Sequence, residues 1–165
     1  MPRASQEFAT AVTLSVLDRL IDREPQNSAE VPPTRSHSVR EMKEAVRRDL
    51  EWLLNTRRIA DPPDESLKEL NRSLYVFGLP DFTAYSLASP KDRARLVRHL
   101  QATVKLFEPR LVTTKVIPLE DIVPGTRTLR FRIEGLLLMD PAPEQVSFDT
   151  VLELTSGEYE VQNAG

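Results

Sequence analysis

The sequence predicts an α+β domain in which helices come first and a small antiparallel sheet follows. Three observations carry this expectation. Apolar residues recur at spacings of three and four over residues 39–54 and again over 94–107. Beyond Pro109 the spacing shortens to two: Leu129, Phe131, Ile133, Gly135 and Leu137 have Arg130, Arg132 and Glu134 between them. The turn signals Pro124-Gly125 and Asp140-Pro141 then divide the second half into hairpin-sized pieces.

The 165 residues fit one ordinary domain, with 40% hydrophobic and 28% charged side chains, the balance of a globular protein. With 22 basic against 25 acidic residues the net charge is −3, which argues against a free-standing nucleic-acid or membrane-surface protein. The absence of cysteine excludes a disulfide framework, a zinc–cysteine site and thiol catalysis. The longest apolar run, Leu136 to Met139, falls far short of the ~18–20 residues of a membrane span. Residues 1–10 carry no apolar stretch of signal-peptide type, so the expected location is the cytoplasm.

Taken in order, Val12, Val16, Leu17, Leu20 and Ile21 fall on one helical face, and residues 1–22 read as a docking helix. Residues 23–38 hold three prolines among small polar residues and read as a flexible linker, leaving 39–165 as the domain proper. Ser38 has the form of a helix N-cap, with Glu41 three residues later completing a capping box. Val39, Met42, Val46, Leu50, Leu53 and Leu54 then form a buried stripe, with Trp52 close beside it. Glu44 precedes Arg48 by four, the favourable order for a helix ion pair. Arg57 and Arg58 suit the negative end of this helix, and Asp61-Pro62-Pro63-Asp64 terminates it.

A short helix or turn is expected over residues 67–77, then a turn at Gly78-Leu79-Pro80-Asp81. Ser89 caps the next helix, with Pro90 at its first position. Its buried face is expected to be Ala94, Val97, Leu100, Val104 and Phe107, its outer face the basic Lys91, Arg93, Arg95 and Arg98. Pro109 ends it. Leu111 opens a strand that reaches Leu119, with Pro118 best placed at the strand end. Val146, Phe148, Leu152 and Leu154 alternate as a further strand, and Tyr159 to Val161 adds a short one after Ser156-Gly157.

The chain lacks the phosphate-binding glycine loops, the HExxH and GxSxG signatures and the acidic calcium loop. His37 in the linker and His99 on the polar side of a helix read as solvated or capping residues. Glycoside hydrolysis needs a carboxylic acid in an apolar site, whereas the conspicuous acid here, Glu108, has Arg110 as a neighbour. The expectation is therefore a protein that is not an enzyme and uses no cofactor or metal.

Three segments stand out instead. Phe107-Glu108-Pro109-Arg110-Leu111 is a helix-to-strand corner stiffened by Pro109. There Glu108 and Arg110 either lock the corner as an internal salt bridge or present a planar guanidinium fork to a partner carboxylate. The run from Val46 to Arg58 groups Arg47, Arg48, Trp52 and Arg57, of types enriched at binding hot spots. The same run also fits a core tryptophan with a solvated charged face. In Tyr75-Val76-Phe77-Gly78-Leu79-Pro80-Asp81-Phe82, Gly78 permits a positive φ and Pro80 stiffens the backbone just beyond it, as in a structural turn or a binding loop.

These segments in this order, preceded by Ser15-Val16-Leu17-Asp18-Arg19-Leu20, resemble the TssE family of type VI secretion baseplate subunits. That family includes the small wedge protein of contractile-phage baseplates. The likeness runs from about Ser15 to Val161, and RRDLEWLLNTR with EPRL carries most of its specificity. It implies a structural wedge subunit with a fold similar to the sheath handshake domain, in which neighbouring arms complete sheets by β-augmentation. The implied partners are the wedge proteins TssF, TssG and TssK and the sheath proteins TssB and TssC, in a baseplate docked at the inner-membrane complex. The family's Glu-Pro-Arg signature falls on Glu108, Pro109 and Arg110. The resemblance makes these residues, with Arg47, Arg48, Trp52, Arg57, Leu17 and Leu20, the partner-binding candidates. Two other readings compete with it: a soluble adaptor of the same fold that binds a regulatory protein, and a peptidoglycan hydrolase acting through Glu108.

Overall fold

The structure is a computed structural model and describes residues 15–21, 35–82, 84–86, 89–119, 128–140, 142–153 and 158–164. Its helices are α1 (Val16–Leu20), α2 (Arg35–Asn55) and α3 (Pro90–Phe107). The strands β1 (Leu111–Leu119), β2 (Thr128–Leu137), β3 (Glu144–Glu153) and β4 (Glu158–Asn163) follow. Two short 3-10 turns, Leu70–Arg72 and Leu74–Val76, fill the segment expected to be a short helix or turn. The chain thus adopts the expected α+β arrangement. Val12, Pro124-Gly125, Pro141, Leu154 and Ser156-Gly157 lie outside the described residues.

The strands form an antiparallel meander in the order β1-β2-β3-β4. The two-residue period puts Leu129, Phe131, Ile133 and Leu137 of β2 and Val146, Phe148 and Leu152 of β3 on one buried face. On that face α2 packs over β4 and α3 over β1. Met42, Val46, Leu50, Leu53 and Leu54 from α2 and Leu96, Leu100 and Val104 from α3 close the core. Phe131 and Phe148 are fully buried, and each contributes about 1.5–3 kcal/mol of transfer free energy. The other face is polar, with Arg132 opposite Asp149 in register and bonded to it at 2.6 Å.

β1 bulges between Val112 and Lys115, and Thr113 there takes φ +53°. Gly135 on β2 lies against this bulge: a Cβ on it would stand 3.2 Å from the Val112 carbonyl oxygen. Pro118 sits one residue inside β1 rather than at its end, on an edge strand where a sheet tolerates proline.

Three helix expectations are corrected. α2 begins at Arg35, so Ser38 is a buried interior residue and not an N-cap. Glu41 meets His37 Nδ1 at 3.3 Å one turn earlier, and His37 is helical. The last strong helix breaker before this stretch is Pro33, and nothing from Arg35 to Ser38 opposes helix formation. α2 also ends at Asn55, one residue short of the end expected near Thr56 to Arg58, so Arg57 and Arg58 follow the helix and are not in its last turn. On α3 the core position belongs to Leu96, while Ala94 is exposed, because the larger side chain gains more from burial. The Ser89 cap forms as expected, with Oγ accepting the Asp92 N–H at 3.3 Å. The Asp92 carboxylate turns away from Ser89 and accepts the Ser86 N–H.

Candidate functional site: a charged corner tied to two helices

The corner is built by its own backbone. Glu108 closes α3 by donating its N–H to the Val104 carbonyl at 2.8 Å. Pro109 has no N–H with which to continue the helix. Leu111 N–H then bonds the Glu108 carbonyl at 3.1 Å, and Leu138 N–H bonds the Arg110 carbonyl at 2.8 Å. The turn is therefore held on the α3 side and on the β2 side at once.

Onto this frame the side chains add an alternating ladder of charge. Arg110 donates Nε and Nη2 to the two oxygens of Glu108, each at 2.5 Å. The same Nη2 reaches Asp49 Oδ2 on α2 at 2.6 Å. Asp49 Oδ1 accepts from Arg48 Nη2 at 2.7 Å, and Arg48 Nη1 donates to Asp18 Oδ1 on α1 at 2.7 Å. Asp18 is also held by Ser15, the cap of α1, whose Oγ accepts the Asp18 N–H at 3.2 Å. The ladder joins the corner to α2, and α2 to α1.

Burial makes these pairs matter. The Glu108 and Asp18 side chains are only 4% and 5% exposed, against 25% for Arg110. A buried carboxylate needs a charged partner with good geometry. Hydrogen bonding to Glu108, assisted by Asp49 and opposed by burial, raises the Arg110 pKa further above its ordinary value. For Arg48, burial pulls the pKa down, but hydrogen bonds to Asp49 and Asp18 more than offset it. Burial pushes the Asp18 carboxyl up, but bonds from Ser15 and Arg48 hold it below the usual carboxylate value. Arg110 engages both Glu108 oxygens, so the arrangement works as a clamp and not as an acid aimed at solvent.

The corner holds the internal salt bridge: Arg110 binds Glu108 and Asp49 through Nε and Nη2. The other candidates fall into separate groups. Arg47 points toward β4, bonded to Glu44, Glu51 and the Val161 carbonyl. The expected Glu44–Arg48 pair is thus replaced by Glu44–Arg47, because Arg48 is drawn to Asp49 and Asp18. Trp52 is not a core residue; it is 56% exposed, with the Arg48 guanidinium 5.1 Å from its ring centre. Leu17 and Leu20 are 50% and 76% exposed, because α1 turns its Asp18 side to Arg48 and leaves its apolar side outward.

Arg57 joins the Gly78 loop, since its backbone bridges Leu79 in parallel. Arg58 N–H bonds the Leu79 carbonyl and Leu79 N–H the Thr56 carbonyl, both at 2.8 Å. Gly78 takes φ +98°, and a Cβ there would lie 2.3 Å from the Thr56 carbonyl oxygen, so the loop requires glycine. Pro80 is half-buried and Asp81 exposed beside it.

Sequence reasoning missed Asp49 and Asn55. Asn55 ends α2 and brackets β4: its amide nitrogen donates to the Tyr159 carbonyl, and its oxygen accepts the Tyr159 N–H, both at 2.8 Å. With Arg47 on Val161, this bonds a stretch of the β4 edge from within, at a place where a sheet otherwise leaves backbone groups unpaired. Both lie inside RRDLEWLLNTR, but nothing in that run marks the distant group each one meets, and only the polar position of Asn55 at a helix end hints at a cap.

The fold and this site define a small α+β subunit whose conspicuous polar cluster braces its architecture. Residues 40–142, more than half of the chain, match the family described as Baseplate wedge protein gp25, and the chain belongs to that family. The matched span contains Arg48, Asp49 and the whole Glu108-Pro109-Arg110 corner, while α1 lies outside it. No curated protein and no solved structure matches the chain. Its family is structural, and its role is that of a structural protein of a phage-like baseplate. No helix among the described residues is long and apolar enough to cross a membrane.

Proposed function

We propose that the chain is the TssE-type wedge subunit of a type VI secretion baseplate, a non-enzymatic part that links wedge proteins to the first layer of the contractile sheath. The family membership supports this reading, and the sequence of Ser15 to Leu20, RRDLEWLLNTR and EPRL narrows it. Its partners would be TssF, TssG and TssK in the wedge and TssB and TssC in the sheath, on the cytoplasmic side of the inner-membrane complex. Residues 1–22 would be the docking segment, 23–38 the tether with its last residues drawn into α2, and 39–165 the wedge domain.

One observation carries the division of labour. The corner charges bind one another, whereas Leu17, Leu20 and Trp52 face outward on either side of the Asp18–Arg48 pair. In this reading Glu108, Pro109, Arg110, Arg47 and Arg48 set the shape that partners meet. Leu17, Leu20, Trp52 and Arg57 make the contact, as exposed apolar and aromatic anchors do at interfaces.

An affinity pull-down from the native cell, read by mass spectrometry, tests it. Wild type should recover wedge and sheath proteins, and Leu17→Asp with Leu20→Asp should recover fewer. Both substitutions are at exposed positions, so folding stability should change by no more than about 0.5 kcal/mol each. Recovery of a regulatory protein and no baseplate component would overturn the proposal in favour of an adaptor of the same fold.

A further inference from the structure

Away from the corner, the end of α2 meets α3 in a second charged surface. Arg95 and His99 stand one helical turn apart on α3, and Arg98 adjoins His99. Arg58, fixed through its backbone to Leu79, comes close enough that its charge, with those of Arg95 and Arg98, acts on the His99 ring. Burial and these three cations hold His99 below the usual imidazole value. The Arg95 guanidinium rests 5.5 Å from the Tyr85 ring centre, and His99 lies 5.9 Å from that of Phe82. Lys91 extends the face one turn earlier.

The guanidinium groups here differ from the four that are held in ion pairs within the domain. Arg47, Arg48, Arg110 and Arg132 each pair with at least one carboxylate. Among the described residues Arg58, Arg95 and Arg98 pair with none, and Arg58 Nε is buried without a hydrogen-bond partner. The chain carries an excess of acids, so carboxylates are not scarce in it. The neighbouring Asp92 is occupied with the Ser86 N–H, and Asp81 and Arg93 have contacts of their own.

We propose that the face centred on Arg58, Arg95 and Arg98 docks an acidic segment of a neighbouring protein through carboxylate–guanidinium pairs. The rings beside it favour a peptide over single-stranded nucleic acid. Phe82 is buried and packs edge-on against Tyr85, and Tyr85 already carries Arg95, so these two rings offer little surface for base stacking. The inference goes beyond the wedge reading and holds whichever contractile assembly the chain serves.

The test is fluorescence anisotropy on the full chain with a labelled oligo-glutamate peptide. An oligo-glutamine peptide and a single-stranded oligonucleotide serve as comparators. The glutamate peptide should bind selectively and weaken with added salt. Arg95→Gln with Arg98→Gln should lower its affinity about tenfold. Arg130→Gln, an exposed position on the outer face of the sheet, should leave it unchanged. Arg58→Gln repeats the measurement without touching the Tyr85 contact, and circular dichroism checks each variant for folding. Failure of wild type to bind, equal binding by all variants, or preference for the oligonucleotide would overturn the proposal.

Discussion

Arg110 grips Glu108 across Pro109, with Nε and Nη2 on separate carboxylate oxygens, and the same Nη2 holds Asp49 on the neighbouring helix. One side chain therefore fixes the exit angle of α3, the start of β1 and the position of α2. The clamp at the helix-to-strand corner thereby sets how these three elements sit relative to one another.

Glu108→Gln should destabilise the fold by about 2–4 kcal/mol, because Arg110 then keeps Asp49 as its one charged partner in a three-quarters buried site. Urea denaturation measures this, and a loss below about 1 kcal/mol would place the pair with ordinary surface salt bridges. Arg110→Glu should cost more, since it sets a third carboxylate beside Glu108 and Asp49. A binding defect in that variant would report on folding, which is why the interface variants above lie elsewhere.

Asn55→Ala removes both hydrogen bonds that tie the end of α2 to Tyr159. The expected loss is about 1–3 kcal/mol. Native-state amide exchange should show the Tyr159 N–H exchanging faster, with the amides paired between β2 and β3 little affected.

The Asp18–Arg48 contact should depend on acid. The folded Asp18 pKa lies below its ordinary value of 3.8, so its contribution is fully present above that value and disappears as pH falls through the folded pKa. Trp52 reports on it, because Arg48 lies over the indole ring. Acid titration should change the Trp52 emission in that range, and Asp18→Asn should abolish the step. An unchanged step in Asp18→Asn would detach the signal from α1.

Gly78→Ala combines a positive φ with a Cβ driven against the Thr56 carbonyl oxygen. The expected loss is about 2–3 kcal/mol, a fall of about 5–10 °C in Tm. Thermal melting by circular dichroism checks it, and a wild-type Tm would show that the loop moves freely from α2.

Much of the architecture is legible in the sequence because periodicity is a local property. The alternation of β2 and the boundaries Leu111 and Leu119 of β1 follow from side chains a few positions apart. So do the Ser89 cap with Pro90 and the positive φ of Gly78. The misplaced start of α2 has a local cause too: Ser38 and Glu41 have the form of a capping box, but a serine serves equally inside a helix that can extend toward Pro33. Trp52 stays open between core and surface in the sequence because it neighbours the buried Leu53, and the structure leaves it exposed beside Arg48.

By itself, then, the sequence determined the α+β order, the strands, the corner at Pro109 and the resemblance to baseplate wedge proteins, all carried by neighbouring residues or by motif order. Only the tertiary structure decided which charges meet. Asp49 reaches Arg110 across 61 positions, Asp18 reaches Arg48 across 30, and Asn55 reaches Tyr159 across 104. Each pairing depends on where packing brings distant backbone together, and an arginine in a sequence carries no mark of the carboxylate it will find.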